Sequence, residues 1–358
     1  MEEGIEVDLL PVGEGEHSGD AIVVRWRDGS EFRVMVYDGG TRDYGAAIVR
    51  HIQTHFGTSH VDYVVNSHPD NDHAGGLTYV VENMTVGEVW MHRPWQYSDK
   101  ILHYFHDGRI TDDSLAERLQ RKMGAAYSLE QAALDREIPV YEPFAGAQIG
   151  IFRVLSPTSD RYVHDLIPAF EKSPALKKES AMEALTDFGR KMIRYVADAW
   201  DVEYLPAGVE TSAENESSAI LFAPCAGQGV LLTGDAGVES LKQAAAYASA
   251  QGIDLPRDVR FVQIPHHGGR HNVSTESLNM LVGEPLGRDR GEPERYAYAS
   301  ASAKAPSHPK RVVTNAFIRR GFNVAQTKGT SIRYRRNMPS RDRWGPLPYL
   351  KFFEEVEE

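Results

Sequence analysis

Apolar and polar positions alternate in short runs over the first part of the chain, a pattern typical of half-buried β-strands. These runs are separated by glycine-rich or charged turns and predict strands at Ile5–Val12, Asp20–Trp26 and Phe32–Tyr37. Apolar residues then recur at helical spacing over Tyr44–Phe56, and Gly57 is a typical helix end. The chain is therefore expected to begin with antiparallel strands and to continue with alternating helices and strands.

This alternation continues with a strand at 61–66, a helix from about Gly76 to Asn83 and a strand at Val86–Met91. Two segments with apolar residues at helical spacing, about 98–137 and 160–200, then interrupt it. Neither carries a spacing typical of metal ligands. Each is expected to cover one side of a sheet, as a lid or as a surface for a homodimer or a protein partner.

The rest of the chain repeats the same order of elements. The predictions are strands at Gln148–Leu155, Ser218–Ala223, Gly229–Thr233, Arg260–Ile264 and Tyr296–Ser300, helices at Val238–Ala250 and Pro309–Arg320, and a final hairpin of Asn323–Gln326 with Ser331–Arg335. Two β-rich halves, each followed by helices, predict an α/β protein, an αββα sandwich of two mixed β-sheets with helices outside. We expect one domain over 1–358, with strand ends meeting at one edge where ligands converge.

Composition is that of an ordinary globular protein. Of the 358 residues, 41% are hydrophobic and 25% are charged. No apolar run approaches the ~18–20 residues needed to span a bilayer, and the acidic N-terminus has no signal-peptide pattern. The lone Cys225 excludes a framework of internal disulfides. A cytoplasmic location without membrane contact is therefore expected.

Charge is distributed unevenly along the chain. The net charge is −12, which argues against a general nucleic-acid binder. Between residues 301 and 343, however, eleven Lys or Arg face one acid, so this basic segment carries about +10. The segment would suit an anionic substrate such as a phosphodiester, or it forms a solvated surface with charges spread over helix and strand. The sequence leaves both open.

Four side chains able to bind metal fall within six residues, directly after the predicted strand at 61–66. They are His68, Asp70, Asp72 and His73. Because alternate residues of an extended chain point to one side, the first three could converge, and the fourth follows as the chain turns into a helix. Imidazole nitrogen mixed with carboxylate oxygen suits Zn²⁺, Mn²⁺ or Fe²⁺. Burying these acids without a cation would be costly, so a metal site is predicted.

Three further chemical groups stand at predicted strand ends. Asp38 opens an Asp-Gly-Gly turn, Asp235 closes Leu-Thr-Gly-Asp, and His266-His267 precedes a glycine. Loops at the C-terminal ends of strands are where a sheet commonly presents functional residues.

In this order, the motifs resemble the metallo-β-lactamase superfamily, and most closely its ComEC-type branch. That branch carries a Ser/Thr-His-x-Asp-x-Asp-His-x-Gly-Gly loop, a Leu-Thr-Gly-Asp turn and a His-His-Gly strand end. The resemblance covers about residues 5–336, apart from the two helical segments. It implies an αββα fold and a metal-dependent hydrolase with two divalent ions, Zn²⁺ or Mn²⁺.

The resemblance also implies how the ligands are shared. Asp72, His73 and one of the paired histidines would hold one ion, with His267 preferred because it stands beside the glycine. Asp235 would bridge the two ions. His266 would then contact the substrate or support the strand end.

His68 and Asp70 would hold the other ion, and Asp38 would orient the loop from behind the ligands. Asp70 stands where a histidine is commoner in the superfamily. A further histidine expected between the loop and Asp235 is missing, since the corresponding strand ends Val-Leu-Ser-Pro. His92 could replace it, although a structural role at a strand end is favoured.

Several residues are candidates for handling substrate and protons. His308 precedes a predicted helix inside the basic segment, matches a His-Pro element of the branch, and could protonate a leaving oxygen, bind phosphate or cap the helix. Asp70 or Asp72 could orient the attacking water. Lys304 and Lys310 are candidate substrate-binding cations.

Three functions remain in competition. The preferred one is a phosphodiesterase or nuclease that attacks a nucleic acid or nucleotide with a metal-bound hydroxide. The second is a lactonase, thioesterase or amidase, because the same nucleophile attacks carbonyl carbon and fold does not fix function. The third is a non-catalytic metal-binding sensor. If the basic segment faces away from the metal edge, the second becomes stronger.

Overall fold

Two seven-stranded β-sheets lie face to face, and helices pack on the outer face of each. The predicted αββα sandwich is therefore confirmed. The computed structural model describes residues 2–13, 18–105, 108–174, 195–206, 208–289, 291–305 and 308–357.

The first sheet is built from the N-terminal part of the chain and is completed by one strand from the C-terminal part. In spatial order its strands are β15 (Ile332–Arg336), β1 (Ile5–Leu9), β2 (Ala21–Asp28), β3 (Glu31–Gly39), β4 (His60–Val65), β5 (Thr85–Trp90) and β6 (Val140–Tyr141). The pairs from β15 to β3 are antiparallel, and those from β3 to β6 are parallel. The start of β2 therefore lies at the same edge as the ends of β3 and β4.

The second sheet mirrors this arrangement. Its strands in spatial order are β14 (Phe322–Gln326), β13 (Arg295–Ala299), β12 (Val259–Gln263), β11 (Gln228–Leu232), β10 (Ile220–Cys225), β8 (Phe152–Ser156) and β7 (Gln148–Ile149). Strands β11 to β14 are parallel, and the others are antiparallel. A separate two-stranded pair joins β9 (Tyr195–Ala197) to β16 (Glu355–Glu357).

Three apolar clusters hold these layers together, one between the sheets and one under each helical layer. The helices are α1 (Gly45–Phe56), α2 (Asn71–Asn83), α3 (Ser98–Ile101), α4 (Asp112–Lys122), α5 (Gly124–Asp135), α6 (Ser159–Arg161), α7 (Ile167–Ala169), α8 (Ala213–Glu216), α9 (Val238–Ala250), α10 (Leu255–Asp258), α11 (Thr275–Val282) and α12 (Arg311–Arg319). Among the described residues, none of these helices combines the length and apolarity needed to cross a bilayer.

Helix α2 begins at Asn71, five residues before the predicted start near Gly76. Glycine disfavours a helix interior, so Gly75 and Gly76 weaken the helical pattern before that point. Here the glycine allows a close approach of two backbones, since a Cβ on Gly76 would lie 2.0 Å from the carbonyl oxygen of Gly39. The Gly76 N–H also donates to the Gly40 carbonyl at 3.0 Å. As a result, the second half of the candidate metal loop lies in the first helical turn.

The predicted final hairpin is wrong, because β14 and β15 lie in different sheets. β14 pairs with β13, whereas β15 pairs with β1. Sheets pack about 10 Å apart, and the five connecting residues 327–331 can reach roughly 16 Å when extended. A short connection is thus long enough to cross the sandwich rather than fold back.

Two other predictions need correction. The predicted strand Gln148–Leu155 is divided at Gly150, whose φ of 56° forms the turn between β7 and β8. In the described part of the predicted helical segment 160–200, the helices end at Ala169, and Tyr195–Ala197 forms strand β9 with β16. The part of this prediction at 175–194 lies outside the described residues.

The first helical segment forms as predicted, and Leu115, Leu119 and Met123 are buried. It packs against the outer face of the first sheet, where α5 contacts α2. The segment therefore supports the helix that follows the candidate metal loop. Its use as a lid or partner surface stays a prediction.

Candidate metal centre

The candidate ligands meet at the edge of the sandwich where β3, β4, β11 and β12 end and β2 begins. In each of four sets of three side chains, one potential ligand atom per residue lies within 4.8 Å of the others. The sets are His68, His73 and Asp235; Asp72, His73 and His267; Asp20, Asp235 and His267; and Asp20, Asp38 and His73. His73, Asp235 and His267 link the sets into one buried cluster.

Asp38 fixes the ring of His73. Its backbone has a φ of 59°, which turns the end of β3 sharply toward the loop after β4. One carboxylate oxygen accepts the Ser67 N–H at 2.7 Å, and the other accepts the Ser67 hydroxyl at 2.6 Å and His73 Nδ1 at 2.9 Å. His73 Nδ1 therefore carries the proton, and Nε2 points into the cluster. The predicted role of Asp38 in orienting a metal ligand is compatible with this contact and stays a prediction.

Ser67 in turn orients the ring of His68. Because its hydroxyl proton goes to Asp38, Ser67 Oγ accepts from His68 Nδ1 at 3.0 Å. The lone pair of His68 Nε2 is therefore directed into the buried interior.

Asp235 lies at the centre of the histidines. Its Oδ2 is 3.3 Å from His73 Nε2, 3.6 Å from His266 Nε2 and 3.9 Å from His267 Nε2. Burial raises the pKa of the Asp235 carboxyl, but the nearby histidines lower it by more, so the group stays ionised. Burial lowers the pKa of His73, but the Asp235 and Asp38 carboxylates raise it by more.

Gln263, which belongs to no sequence motif, shapes the turn that carries Asp235. Its side-chain oxygen accepts the N–H groups of Thr233 at 2.7 Å and Gly234 at 2.8 Å. Its side-chain nitrogen donates to Asp20 Oδ2 at 3.0 Å. One buried amide thus connects the turn to the start of β2.

Asp20 is a second residue that no sequence motif identifies, because it stands only at the start of a predicted strand. It is fully buried, and its Oδ1 lies 3.8 Å from His267 Nδ1. Burial raises the pKa of Asp20 to about 8, with a further rise from Asp235 and an opposing effect from His73. The available signal was the position of this acid directly before β2. Because β2 is antiparallel to β3, the start of β2 must lie at the edge where β3 ends.

The paired histidines have different surroundings. His267 has 7% of its side chain exposed, whereas His266 has 37% exposed and bonds Asn272 Oδ1 through Nδ1 at 2.7 Å. Burial lowers the pKa of His267 to about 3, so its imidazole is neutral and its lone pair is available. His267 therefore faces the cluster, and His266 faces its open side.

Asp70 is the predicted ligand that the structure leaves outside all four sets. Its Oδ2 lies 3.6 Å from His68 Nε2, but its Oδ1 is hydrogen-bonded by the ammonium of Lys172. Burial raises the pKa of Asp70, yet His68 and then Lys172 lower it by more, so it is ionised. Asp72, one helical position from His73, does join the cluster.

His92, the candidate replacement ligand, packs among aromatic rings. Its ring stacks on Tyr162 at a centroid distance of 4.3 Å and lies 5.0 Å from the Phe144 ring. It belongs to none of the described ligand sets, and burial lowers its pKa to about 3. The favoured structural role at the strand end agrees with this packing.

His308 and Lys310 lie against the histidine loop. Lys310 donates its N–H to the Gly268 carbonyl at 3.0 Å, and a Cβ on Gly268 would lie 2.3 Å from Pro309 Cβ. Burial lowers the pKa of His308 to about 4, with further lowering by Lys310, His266 and Lys328. Lys304, the other candidate cation, is exposed in the loop after β13.

Much of the basic segment serves the fold instead. Four of its arginines are buried in ion pairs with acids of other segments: Arg319 with Asp198, Arg320 with Glu203, Arg333 with Glu6, and Arg341 with Glu6 and Asp8. Arg336 is exposed and pairs in register with Ile5, at the end of the sheet away from the cluster. The local charge near the candidate site is therefore much smaller than about +10.

The described residues fit a divalent cation. Several buried atoms of the cluster have no hydrogen-bond partner among the described residues, namely His68 Nε2, His73 Nε2, both ring nitrogens of His267, Asp20 Oδ1 and Asp235 Oδ1. Buried polar atoms are normally paired, so a concentration of unpaired ones calls for a ligand. Imidazole nitrogens with carboxylate oxygens suit Zn²⁺, Mn²⁺ or Fe²⁺.

Comparison with known families agrees with this geometry. A family model of the metallo-beta-lactamase superfamily matches residues 15–154, the part that holds β2 to β5 and the candidate metal loop. The fold is that of a metallo-β-lactamase. The match covers less than half of the chain, and it specifies neither the ComEC-type branch nor the metal nor the bond cleaved. No curated protein matches the chain.

Solved structures resemble the chain weakly. YhfI from Bacillus subtilis aligns with a TM-score of 0.42 and 8% identity over 93% of this chain and 99% of its own. The metallo-beta-lactamase SMB-1 aligns with a TM-score of 0.33 and 9% identity over 77% and 91%. The hydrolase AbOPH of the beta lactamase superfamily aligns with a TM-score of 0.30 and 10% identity over 60% of this chain, which spans only 56% of AbOPH. Likeness at this level carries no argument about function.

Proposed function

We propose that this protein is a metal-dependent hydrolase whose substrate is a phosphodiester, within a nucleic acid or a nucleotide. The observation that carries the proposal is the buried cluster of unpaired imidazole and carboxylate atoms, bordered by His308, Lys310 and Lys328. A divalent cation bound there supplies a Lewis acid and lowers the pKa of water toward neutrality.

Asp38 holds one ligand of the cluster in place, and Asp20 and Asp235 belong to the cluster itself. Asp38 orients His73, and Asp20 faces the Nδ1 side of His267. Asp235 supplies a carboxylate at the centre, and a fixed ionised group there stabilises positive charge.

Residues on the open side contact the substrate. Asp72 is half-buried, so its carboxylate can orient a water or accept its proton. His266 is partly exposed beside Asp235. His308 is neutral at physiological pH because its pKa is about 4, so it acts as a hydrogen-bond donor to a phosphate oxygen rather than as the proton donor.

Lys310 favours the binding of an anionic group at the same place. It immediately precedes α12, and the N–H groups of a helix N-terminus attract anions. Its backbone is tied to Gly268, beside His267. An anionic substrate that reaches the cluster therefore meets cationic and N–H groups on one side, and the exposed Lys304 adds to this charge.

A second candidate is a lactonase, thioesterase or amidase. The burial of Arg319, Arg320, Arg333 and Arg341 in ion pairs favours it, because these charges are unavailable to a phosphate. The same water nucleophile would attack a carbonyl carbon.

The test is an assay of wild type on bis(p-nitrophenyl) phosphate, single-stranded DNA and a lactone, with added Zn²⁺ or Mn²⁺ and after chelation. We expect metal-dependent cleavage of the phosphodiesters and its loss in His73→Ala and Asp235→Ala, with metal content measured beside activity. Phosphodiester cleavage that survives both substitutions would refute the site. Preferential cleavage of the lactone would instead favour the second candidate.

A further inference from the structure

Lys172 lies shortly after helix α7, in the segment that follows strands β7 and β8. Its side chain reaches the candidate metal loop. Its ammonium hydrogen-bonds Asp70 Oδ1 and lies 3.9 Å from Glu214 Oε1. By resemblance, Asp70 was expected to hold a metal ion with His68. A lysine is a cation that competes for the same carboxylate.

The turn that carries Lys172 is held in place from two sides. The Glu214 carboxylate accepts the N–H groups of Glu171 and Lys172, each at 3.3 Å. From the other side, the Arg118 guanidinium donates to the carbonyl oxygens of Lys172 at 3.1 Å and Ser173 at 3.4 Å. Glu214 has 2% of its side chain exposed, so the anchor is buried. The lysine is thus positioned by the fold and is not a free surface chain.

Other features of the same place disfavour a second metal ion. Asp70 belongs to none of the described ligand sets, and the strand end after β8 offers Ser156 and Pro157 where a histidine ligand was expected. His68 Nε2 instead belongs to the set that contains His73 and Asp235. A divalent ion between His68 and Asp70 would be separated from the Lys172 ammonium only by the Asp70 carboxylate. The two positive charges would repel each other.

We propose that Lys172 takes the place of the second cation at Asp70, so that the centre binds one divalent ion tightly. The ion is held by the cluster joined through His73, Asp235 and His267. The ammonium neutralises Asp70 and supplies the remaining positive charge. The proposal rests on the metal centre of the proposed function but not on its substrate.

The experiment counts metal ions on the full-length protein. Metal-free wild type, Lys172→Met and Lys172→Arg would be titrated with Zn²⁺ and with Mn²⁺ by calorimetry, and bound metal would be counted after dialysis. We expect one tight ion in wild type and in Lys172→Arg. In Lys172→Met, which keeps the length but loses the charge, a second ion should bind at least about tenfold more tightly than in wild type.

Two matched variants identify where the second ion binds. Lys122→Met removes an exposed lysine from the same helical layer and should leave the count at one. The double variant Lys172→Met with Asp70→Ala should also return to one ion, because the freed carboxylate is gone. The Mn²⁺ EPR spectrum gives an independent readout, with an isolated-ion signal in wild type and an exchange-coupled pair in Lys172→Met.

The possible results separate this inference from the proposed function. Two equally tight ions in wild type, or weaker metal binding in Lys172→Met, would overturn the role of Lys172 and leave the metal centre intact. No bound ion in wild type would overturn the centre itself, and the inference with it. If Lys172→Met fails to fold by circular dichroism, Lys172→Gln replaces it under the same expectations.

Discussion

His92 is a buried imidazole that keeps no charge partner among the described residues. It is 1% exposed, neither ring nitrogen has a hydrogen-bond partner there, and burial lowers its pKa from 6.5 to about 3. The folded protein therefore keeps His92 neutral at a pH where the unfolded chain protonates it. Because the unfolded state binds the extra proton, stability falls as the pH drops below 6.5 toward 3.

Replacing His92 should remove this pH dependence. From pH 7 to pH 5, we expect the wild-type free energy of unfolding to fall by about 2 kcal/mol more than that of His92→Phe. Phenylalanine keeps the stack on Tyr162 and cannot titrate. Urea unfolding of both proteins at the two pH values, in the presence of chelator, measures the difference. Equal pH dependence in the two proteins would contradict a buried neutral His92.

At the scale of single residues, the sequence predicted those candidate ligands that lie within a contiguous motif. The loop motif and the two turn motifs named His68, His73, Asp235 and His267, and the structure brings them together. Their binding of a metal stays a prediction. Asp20, Gln263 and Lys172 were not predicted, because each reaches the cluster from a distant segment. Strand pairing positions Asp20 and Gln263, and the contacts of its turn with Glu214 and Arg118 position Lys172. Neither kind of contact produces a recognisable pattern in the local sequence.

Helix α2 depends on a close contact with the end of β3. The backbone of Gly76 lies so near Gly39 that no side chain fits between them. This contact sets the direction of the first turn of α2, which carries Asp72 and His73. The packing of one helix on one strand end therefore fixes two candidate ligands.

Substituting Gly76→Ala should disrupt both stability and metal binding. We expect a loss of about 1–3 kcal/mol in the free energy of unfolding, because the added methyl overpacks a rigid backbone contact. The matched control is Gly124→Ala at the start of α5, where nothing lies within 4 Å of the added Cβ and stability should change by less than about 1 kcal/mol. Thermal unfolding and Zn²⁺ affinity would be measured for both. A Gly76→Ala protein with wild-type values would contradict the contact.

The existence of elements was more predictable than their pairing. Helix α9 matches its predicted bounds, Val238–Ala250, because its apolar spacing is local. By contrast, β14 and β15 were assigned to one hairpin, although β14 pairs with the preceding strand β13 and β15 pairs with β1 near the N-terminus. Pairing depends on the free edges offered by β13 and β1, and local periodicity carries no information about those edges.

At the scale of the whole molecule, basic side chains of the C-terminal part lie at two opposite edges of the sandwich. At the metal edge, Lys310 and Lys328 lie near His308. Near the opposite edge, Arg333, Arg335 and Arg336 line a separate cavity with several tyrosines. A count of basic residues along the sequence could not distinguish these locations, because β15 runs from the metal edge to the opposite edge of the first sheet.

Two lysine and arginine substitutions test this division. Lys310→Met should lower kcat/KM for a phosphodiester by about tenfold or more, because a charged contact to phosphate is lost. Arg336→Met removes an exposed cation of the same segment at the far edge and should leave kcat/KM unchanged. Steady-state kinetics at two ionic strengths measures both. Equal losses in the two variants would indicate general charge attraction rather than a local phosphate contact.

Strand β15 also makes the first sheet dependent on the C-terminal part of the chain. The family match ends at residue 154, yet β1 has its outer partner only in residues 332–336. A fragment ending at residue 154 would leave β1 as an open edge, prone to pairing with other copies. It would also lack Arg333 and Arg341, so that Glu6 would keep only Arg25 and Asp8 only His51 among their described ion-pair partners. The two halves are consequently suited to complementation in trans, in which recovered metal binding would report assembly of the sandwich from separate polypeptides.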